Sequence, residues 1–254
     1  MEAAMSVAVV KSAKRVLQLF ELYAQRQKPM TVNEVSSELE FPQSSTSVLL
    51  HSLVKLGYLS HDPHKRTFSA TLRVGLLGNW LLDEGLMPVS PMEVAHDLTC
   101  ATGDAVVVGV QHGVSAMYIH VSQATNPVRL YMKPGAIRPL CQTAVGRALL
   151  SEKSDSEIKA IVRRINSERA PGAPAQQIDS VLKAVRRIRD TGYSATFGDA
   201  TPDAGVVAAL LPRIEGQPAM AVGIGAPLGK IKSCYREYSD VLLKRIGRRS
   251  ALVG

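Results

Sequence analysis

Cysteine is scarce in this 254-residue chain: Cys100, Cys141 and Cys234 are odd in number and far apart. That excludes a disulfide framework as the organising principle and makes reduced thiols in the cytoplasm the expectation. No apolar run approaches the ~20 residues that a membrane-spanning helix needs. The opening Met1-Glu2-Ala3-Ala4-Met5 has neither the basic start nor the long apolar stretch of a secretion signal. A glycine-rich phosphate loop, an H-E-x-x-H pair and a nucleophile elbow are all missing, and so is any internal repeat. An enzyme reading therefore rests on Cys141 near a helix start with His112 and His120 as bases. A metal-sensor reading rests on the three cysteines and the histidines, none at ligand spacing. No cofactor, metal or membrane partner is expected.

Hydrophobic residues make up 46% of the chain and charged residues 20%, as in ordinary globular proteins. The length suits two domains, each large enough to bury its own core. Thirty Lys/Arg against 22 Asp/Glu give a formal charge of +8. A polyanionic partner would suit that charge, but its distribution does not single out one end. Residues 1–85 hold nine basic and eight acidic residues, whereas residues 86–254 hold 21 and 14. Locally, Lys11, Lys14 and Arg15 cluster near the start, and Lys65 and Arg66 sit at a turn.

From Val9 to Tyr23, apolar residues recur at three- and four-residue steps and predict an amphipathic helix that ends before Lys28-Pro29. Thr31-Val32-Asn33-Glu34 reads as a capping box opening a short second helix. Phe41-Pro42 marks a turn, Pro42 suits the first position of a third helix, and Gly57 stops that helix. Two such helices within about 25 residues outline a helix-turn-helix. Tyr58–Ser60 and Thr67–Ala70 are strand candidates around the polar turn His61–Arg66, which together form a wing. Leu72, Leu76, Leu77, Trp80, Leu81, Leu86 and Met87 predict a linker helix ending at Pro88-Val89-Ser90-Pro91. Beyond a helix at 92–101, strands are expected at 105–110, 116–121, 128–132, 206–211 and 220–224. Helices are expected at 143–150, 156–166, 178–190 and 233–246. The whole is α+β: a winged helix-turn-helix at 1–71, a linker helix at 72–90 and an α/β sensor domain at 91–254.

Three segments carry a resemblance to a known family. They are Lys11-Ser12-Ala13-Lys14-Arg15-Val16-Leu17, the run Phe41–Leu50 followed by Leu53–Leu59, and Gly135-Ala136-Ile137-Arg138-Pro139-Leu140 followed by Thr143-Ala144-Val145-Gly146-Arg147-Ala148. In order and spacing they resemble the IclR family of bacterial transcription regulators, and Asp199–Ala209 resembles the late strand beside that family's effector pocket. The resemblance implies a GAF-like effector-binding domain and regulation by repression or activation. It implies double-stranded DNA with a pseudo-palindromic operator as one partner and a small molecule as another. It also implies assembly as a homodimer or a dimer of dimers.

For DNA contact, the expected residues are Gln43, Ser44, Ser45, Thr46 and Ser47, whose short polar side chains at a helix start reach phosphates and base edges. Lys11, Lys14, Arg15, Thr31, His51, His61, Lys65 and Arg66 are expected to support them, the first three on the DNA backbone and Lys65 and Arg66 on phosphates or in the minor groove. The family often has a basic residue where this chain has Val48, so His51, Lys55 or the wing would compensate. For the effector, the resemblance implies the amides of Thr143, Ala144 and Val145, with Leu130, Met132, Asp199, Val206, Ala208, Gly223 and Gly225 around them. Some members have polar side chains at the positions of Ala208, Gly223 and Gly225. A larger, more apolar pocket is therefore the expectation here, for a small organic acid or an aromatic compound such as an aromatic acid or its derivative. A DNA-binding oligomer without an effector is the other alternative.

Overall fold

Leu19, Leu22 and Tyr23 supply the buried stripe of α1 (Lys11–Arg26), which stops at Gln27 in the left-handed region just before Lys28-Pro29. The computed structural model describes residues 9–78 and 90–250, with side chains described as far as Gly247. Strand β1 (Met30–Thr31) leads into α2 (Val32–Leu39), whose start is the expected capping box. The Glu34 amide donates to Thr31 Oγ1 at 3.2 Å, and the Thr31 amide donates to Glu34 Oε2 at 2.7 Å, so two otherwise orphaned donors are satisfied reciprocally. Helix α3 (Gln43–Lys55) follows Pro42, which is the cap residue rather than the first helical residue. Gly57, at φ +79, reverses the chain into β2 (Leu59–Asp62) and β3 (Thr67–Ala70). These strands pair from Leu59↔Ala70 to Asp62↔Thr67, and β1 adds to the other edge of β3. Leu19, Val35, Leu50, Leu53, Leu59 and Phe68 fill the core. Across it, Tyr23 Oη donates to the Phe68 carbonyl at 3.0 Å. The helix-turn-helix and its wing are thus present.

Of the expected linker helix, α4 (Leu72–Leu76) is described; Trp80, Leu81, Leu86 and Met87 lie outside the described residues. Backbone contacts divide the chain into two units, Met1–Leu86 and Met87–Gly254.

The second unit opens with α5 (Pro91–Thr102), then β4 (Ala105–His112), β5 (Ser115–Ser122) and β6 (Ile137–Pro139). Helices α6 (Ala144–Leu150), α7 (Asp155–Glu168) and α8 (Ile178–Thr191) follow. Strands β7 (Ser194–Phe197), β8 (Ala204–Leu210) and β9 (Met220–Pro227) and helix α9 (Leu228–Ser250) complete it. The six strands form one antiparallel sheet in the order β6-β5-β4-β9-β8-β7. Both faces are covered. Along β4, Ala105 and Val107 join Leu149, Ile158 and Val185 of the α6–α8 layer, while Val106 and Val108 join Leu98 of α5 and Leu242 of α9. That two-sided burial explains why β4 is a continuous apolar run rather than an alternating one. A buried polar cluster ties α9 to the start of β4: Lys230 Nζ lies 2.7 Å from Asp104 Oδ2, the same carboxylate accepts from Tyr238, and Asn126 donates to Asp104 Oδ1 at 3.0 Å.

One expected strand is absent here and one strand is new. Residues 128–132 are not a strand: Val128 and Tyr131 are exposed, and side chains take the place of a ladder. Gln123 donates to the Met132 carbonyl at 2.7 Å, and Arg129 to the Ala124 carbonyl at 3.3 Å. The strand beside β5 is instead the short β6 within Gly135–Leu140. The edge strand β7 was not anticipated.

Candidate functional site

Helix α3 turns Gln43, Ser44, Val48, His51 and Lys55 outward and Thr46, Leu50 and Leu53 inward. Thr46 is fully buried, with its hydroxyl on the Pro42 carbonyl at 3.1 Å, so it is removed from the expected DNA-contact set; its 3.6-residue phase places it on the core face. The Thr31 hydroxyl is occupied by the capping box. Gln43 is exposed and steadied by Asn33, Nε2 to Oδ1 at 2.6 Å. Ser45 is half-buried: it donates to the Pro42 carbonyl at 2.9 Å and accepts from Arg15 Nη1 at 3.4 Å. The Arg15 guanidinium also lies over the Phe41 ring at 4.8 Å, so it braces the entrance of α3. Ser44 is exposed and Ser47 half-exposed on the same helix.

His51 and His61 are brought together by the wing. His61 belongs to β2 rather than to the turn; its ring stacks on Phe68 at 4.5 Å, and the His51 ring meets the Phe68 ring edge-on at 5.2 Å. The turn itself is shaped by Asp62, whose Oδ1 accepts from the amides of His64 and Lys65 at 2.9 and 3.1 Å. Arg66 takes φ +53 at the wing tip, and Lys65 and Arg66 are exposed there, as are Lys11 and Lys14 on α1. One outward helix face beside a cationic wing is the arrangement that enters a groove and touches the flanking phosphates.

In the second unit a cavity of about 80 Å³ lies between the sheet, α6 and the irregular segment before β6. Leu130, Met132, Thr143 and Val206, four of the expected residues, line it. Tyr118, Arg138, Thr196 and Thr201 line it too and were not anticipated. Arg138 sits inside the Gly135–Leu140 signature, whose resemblance lies in spacing and does not single out its charge. Burial pushes the Tyr118 hydroxyl up, and the nearby Arg138 charge opposes that shift. Thr143 caps α6: its hydroxyl accepts from the Gly146 amide at 3.1 Å and donates to the Pro139 carbonyl at 3.0 Å. Its own amide already donates to the Pro139 carbonyl at 3.3 Å, so it is not an open anion donor. Gly146 is obligatory, because a Cβ there would stand 2.1 Å from the Leu140 carbonyl oxygen.

The expected open space at Gly223 and Gly225 is filled. A Cβ on Gly225 would stand 2.1 Å from the methyl of Met132, and one on Gly223 would meet Val145, Val206 and Ala208 at 2.9 to 3.3 Å. Met132 and the two valines pack against these glycines, so no larger pocket opens there. Asp199 does not line the cavity; it pairs with Arg147 at 2.9 Å and accepts from the Phe197 amide at 3.2 Å. Ala144, Val145 and Ala208 are fully buried in the wall behind. Cys141 is buried as well, and burial pushes its thiol up to about 11, which disfavours the thiolate that a nucleophile needs. No group of three or more metal-ligating side chains occurs among the described residues.

A winged helix-turn-helix ahead of a domain with a partly cationic cavity defines a DNA-binding regulator that senses a small molecule. Residues 12–63 match the family model described as the IclR helix-turn-helix domain, and residues 91–249 match that described as bacterial transcriptional regulator IclR C-terminal. The chain belongs to the IclR family of transcriptional regulators. It is similar to the HTH-type transcriptional regulator KdgR of Escherichia coli (strain K12), 23% identical over 184 residues, 72% of this chain and 70% of the relative. Among solved structures, an IclR transcriptional regulator from Alicyclobacillus acidocaldarius shares the fold with a TM-score of 0.73 at 18% identity, over 97% of this chain and 98% of that one. An IclR homolog from Microbacterium hydrocarbonoxydans, complexed with 4-hydroxybenzoate, gives 0.67 at 15% identity, over 94% and 100%. The relatives are named as regulators of transcription, and no helix among the described residues is long and apolar enough to cross a membrane.

Proposed function

We propose that this regulator responds to a small aromatic monocarboxylate, held in the cavity with its carboxylate on Arg138 and its ring against Leu130, Met132 and Val206. The observation that carries this reading is the pairing of one guanidinium with Leu130, Met132 and Val206 in the lining of one cavity. The 4-hydroxybenzoate complex of a relative with the same fold supports the ligand class. Met132 is the adaptable wall: its unbranched thioether rides on an irregular segment and can swing aside to admit a ring that 80 Å³ does not hold. At the other end, Gln43, Ser44 and Ser47 read the major groove of a pseudo-palindromic operator. Lys11, Lys14, Lys65 and Arg66 meet phosphates, and Arg15, Ser45, His51 and His61 hold the reading helix and wing in place. The protein acts in the cytoplasm, as a dimer, and without catalysis.

Calorimetry with benzoate and 4-hydroxybenzoate tests the ligand half. Saturable binding to the parent that falls at least about tenfold, or about 1.4 kcal/mol, in Arg138→Gln is the expected result. Equal affinity in the two proteins, or no binding to the parent, would overturn it. Gel shifts on a cognate operator test the DNA half. Gln43→Ala should relax preference at one base pair by about 1–3 kcal/mol, while Arg66→Ala should weaken all sequences alike and lower the salt slope by about one. Parent-like behaviour of both variants would sink this docking.

A further inference from the structure

Apart from Arg138, the excess positive charge of residues 86–254 has no role in either site described so far, and part of it is gathered in one place. A cleft of about 680 Å³ runs between α8, the edge strand β7 and α9, several times the volume of the effector cavity. Lys183 and Arg187, one turn apart on α8, and Lys232 on α9 line it, all exposed. None of the three has an ion-pair partner among the described residues, whereas their neighbours do. Arg186 and Arg189 of α8 both reach Asp155, Lys230 of α9 reaches Asp104, and Arg147 at the cleft wall reaches Asp199. No carboxylate is among the lining residues. Phe197 and Tyr235 add an aromatic wall, edge to face at 5.4 Å.

We propose that this cleft is a second ligand site, distinct from the effector cavity, for a small organic anion that carries two or more negative charges on a flat or apolar body. The volume suits such a ligand, since small-molecule clefts run from about 300 to 1,000 Å³. Three unpaired cations in one concave surface repel one another and focus a positive potential that a polyanion relieves. A monocarboxylate neutralises one of them; a phosphate ester or polycarboxylate spans two or three. Phe197 and Tyr235 give its body a surface to stack on.

Calorimetry of the full-length protein with adenosine diphosphate, without magnesium, and separately with citrate distinguishes phosphate-ester from polycarboxylate ligands. At least one probe should saturate with a Kd below about 1 mM, and Lys183→Gln/Arg187→Gln should weaken it at least about tenfold. A control, Lys159→Gln/Arg163→Gln, removes the same charge from exposed positions on α7 and should leave binding within about twofold. Arg138→Gln, which disables the effector cavity, should bind these probes as the parent does. The proposal is overturned if neither probe saturates, or if the control loses as much as the cleft variant, which would mean diffuse attraction. It is also overturned if Arg138→Gln abolishes binding, which would put the polyanion in the effector cavity.

Discussion

At Gly225 the missing side chain is matched by Met132, whose methyl carbon occupies the place a Cβ would need. The two residues therefore act as a pair, and changing either should alter the cavity in opposite senses. Gly225→Ala forces the far end of a flexible side chain to move rather than backbone, so the protein should fold with the thioether pushed into the ligand space. Its affinity for 4-hydroxybenzoate should fall. Met132→Ala should enlarge the cavity at a stability cost of about 2–5 kcal/mol, because the side chain is buried, and should favour bulkier aromatic acids over benzoate. Calorimetry with both ligands, beside thermal unfolding, checks the pair; unchanged ligand preference in both variants would mean that Met132 does not border the occupied space. The same residues show where sequence reading stops. A glycine in place of a polar residue signals lost volume on its own strand, but which neighbour moves in is decided by residues 93 positions earlier in the chain. Thr46 teaches the same point locally: among five consecutive polar residues, helical phase alone turns one into the core.

At the scale of elements, periodicity and caps were legible because their physics is local. The capping box at Thr31-Glu34, the stop at Gly57 and the amphipathic stripes of α1 and α8 are each set by residues within a few positions of one another. Strand pairing was less legible. Residues 128–132 have the apolar content of a strand, yet the Met132 carbonyl is met by the side chain of Gln123, and Arg129 turns back to the Ala124 carbonyl. Strand β7 hides because Ser194 and Thr196, both polar, are the residues it buries. The Asp104–Lys230–Tyr238 cluster, which joins elements over 100 residues apart, leaves no local trace at all. It makes a prediction about alkaline stability. Burial, and then the bond to Asp104, push the Tyr238 hydroxyl up to about 12 from an ordinary value of 10. Burial opposes the charge of Lys230, but its bonds to Asp104 and Tyr238 outweigh that, and its value is raised. Raised folded-state values mean stability that is fully present below the unfolded value and is lost as pH rises through the folded one. For Tyr238 that window runs from 10 to about 12. Tyr238→Phe should be less stable than the parent at pH 8, having left Asp104 short of a donor, and the gap should narrow at pH 11. Urea unfolding at both pH values measures it; a gap that stays constant would detach Tyr238 from the alkaline transition.

For the whole molecule, the first unit presents more apolar surface than it uses. Leu72, Leu76 and Leu77 are 88%, 64% and 54% exposed on and just after α4, on a unit whose own core is already closed by nine buried residues. Three large aliphatic side chains within six residues form a patch that a lone domain in water would not keep. Covering them with the same surface of a second copy would remove the patch and would set two recognition helices in a symmetric pair. Spaced one helical turn apart, they would read both halves of a pseudo-palindromic site. Dimerisation would then account for operator affinity, since each half-site contributes contacts that one copy alone cannot reach. Effector binding could act by changing the separation of the two reading helices, and reciprocity would require DNA to alter effector affinity by the same factor. Leu72→Glu/Leu76→Glu should leave both units folded, because neither side chain is in a core, and should keep aromatic-acid binding at parent strength. It should sediment as a smaller species and lose most of its operator affinity in gel shifts. A variant that kept the parent's sedimentation and full operator binding would show that these leucines face no partner.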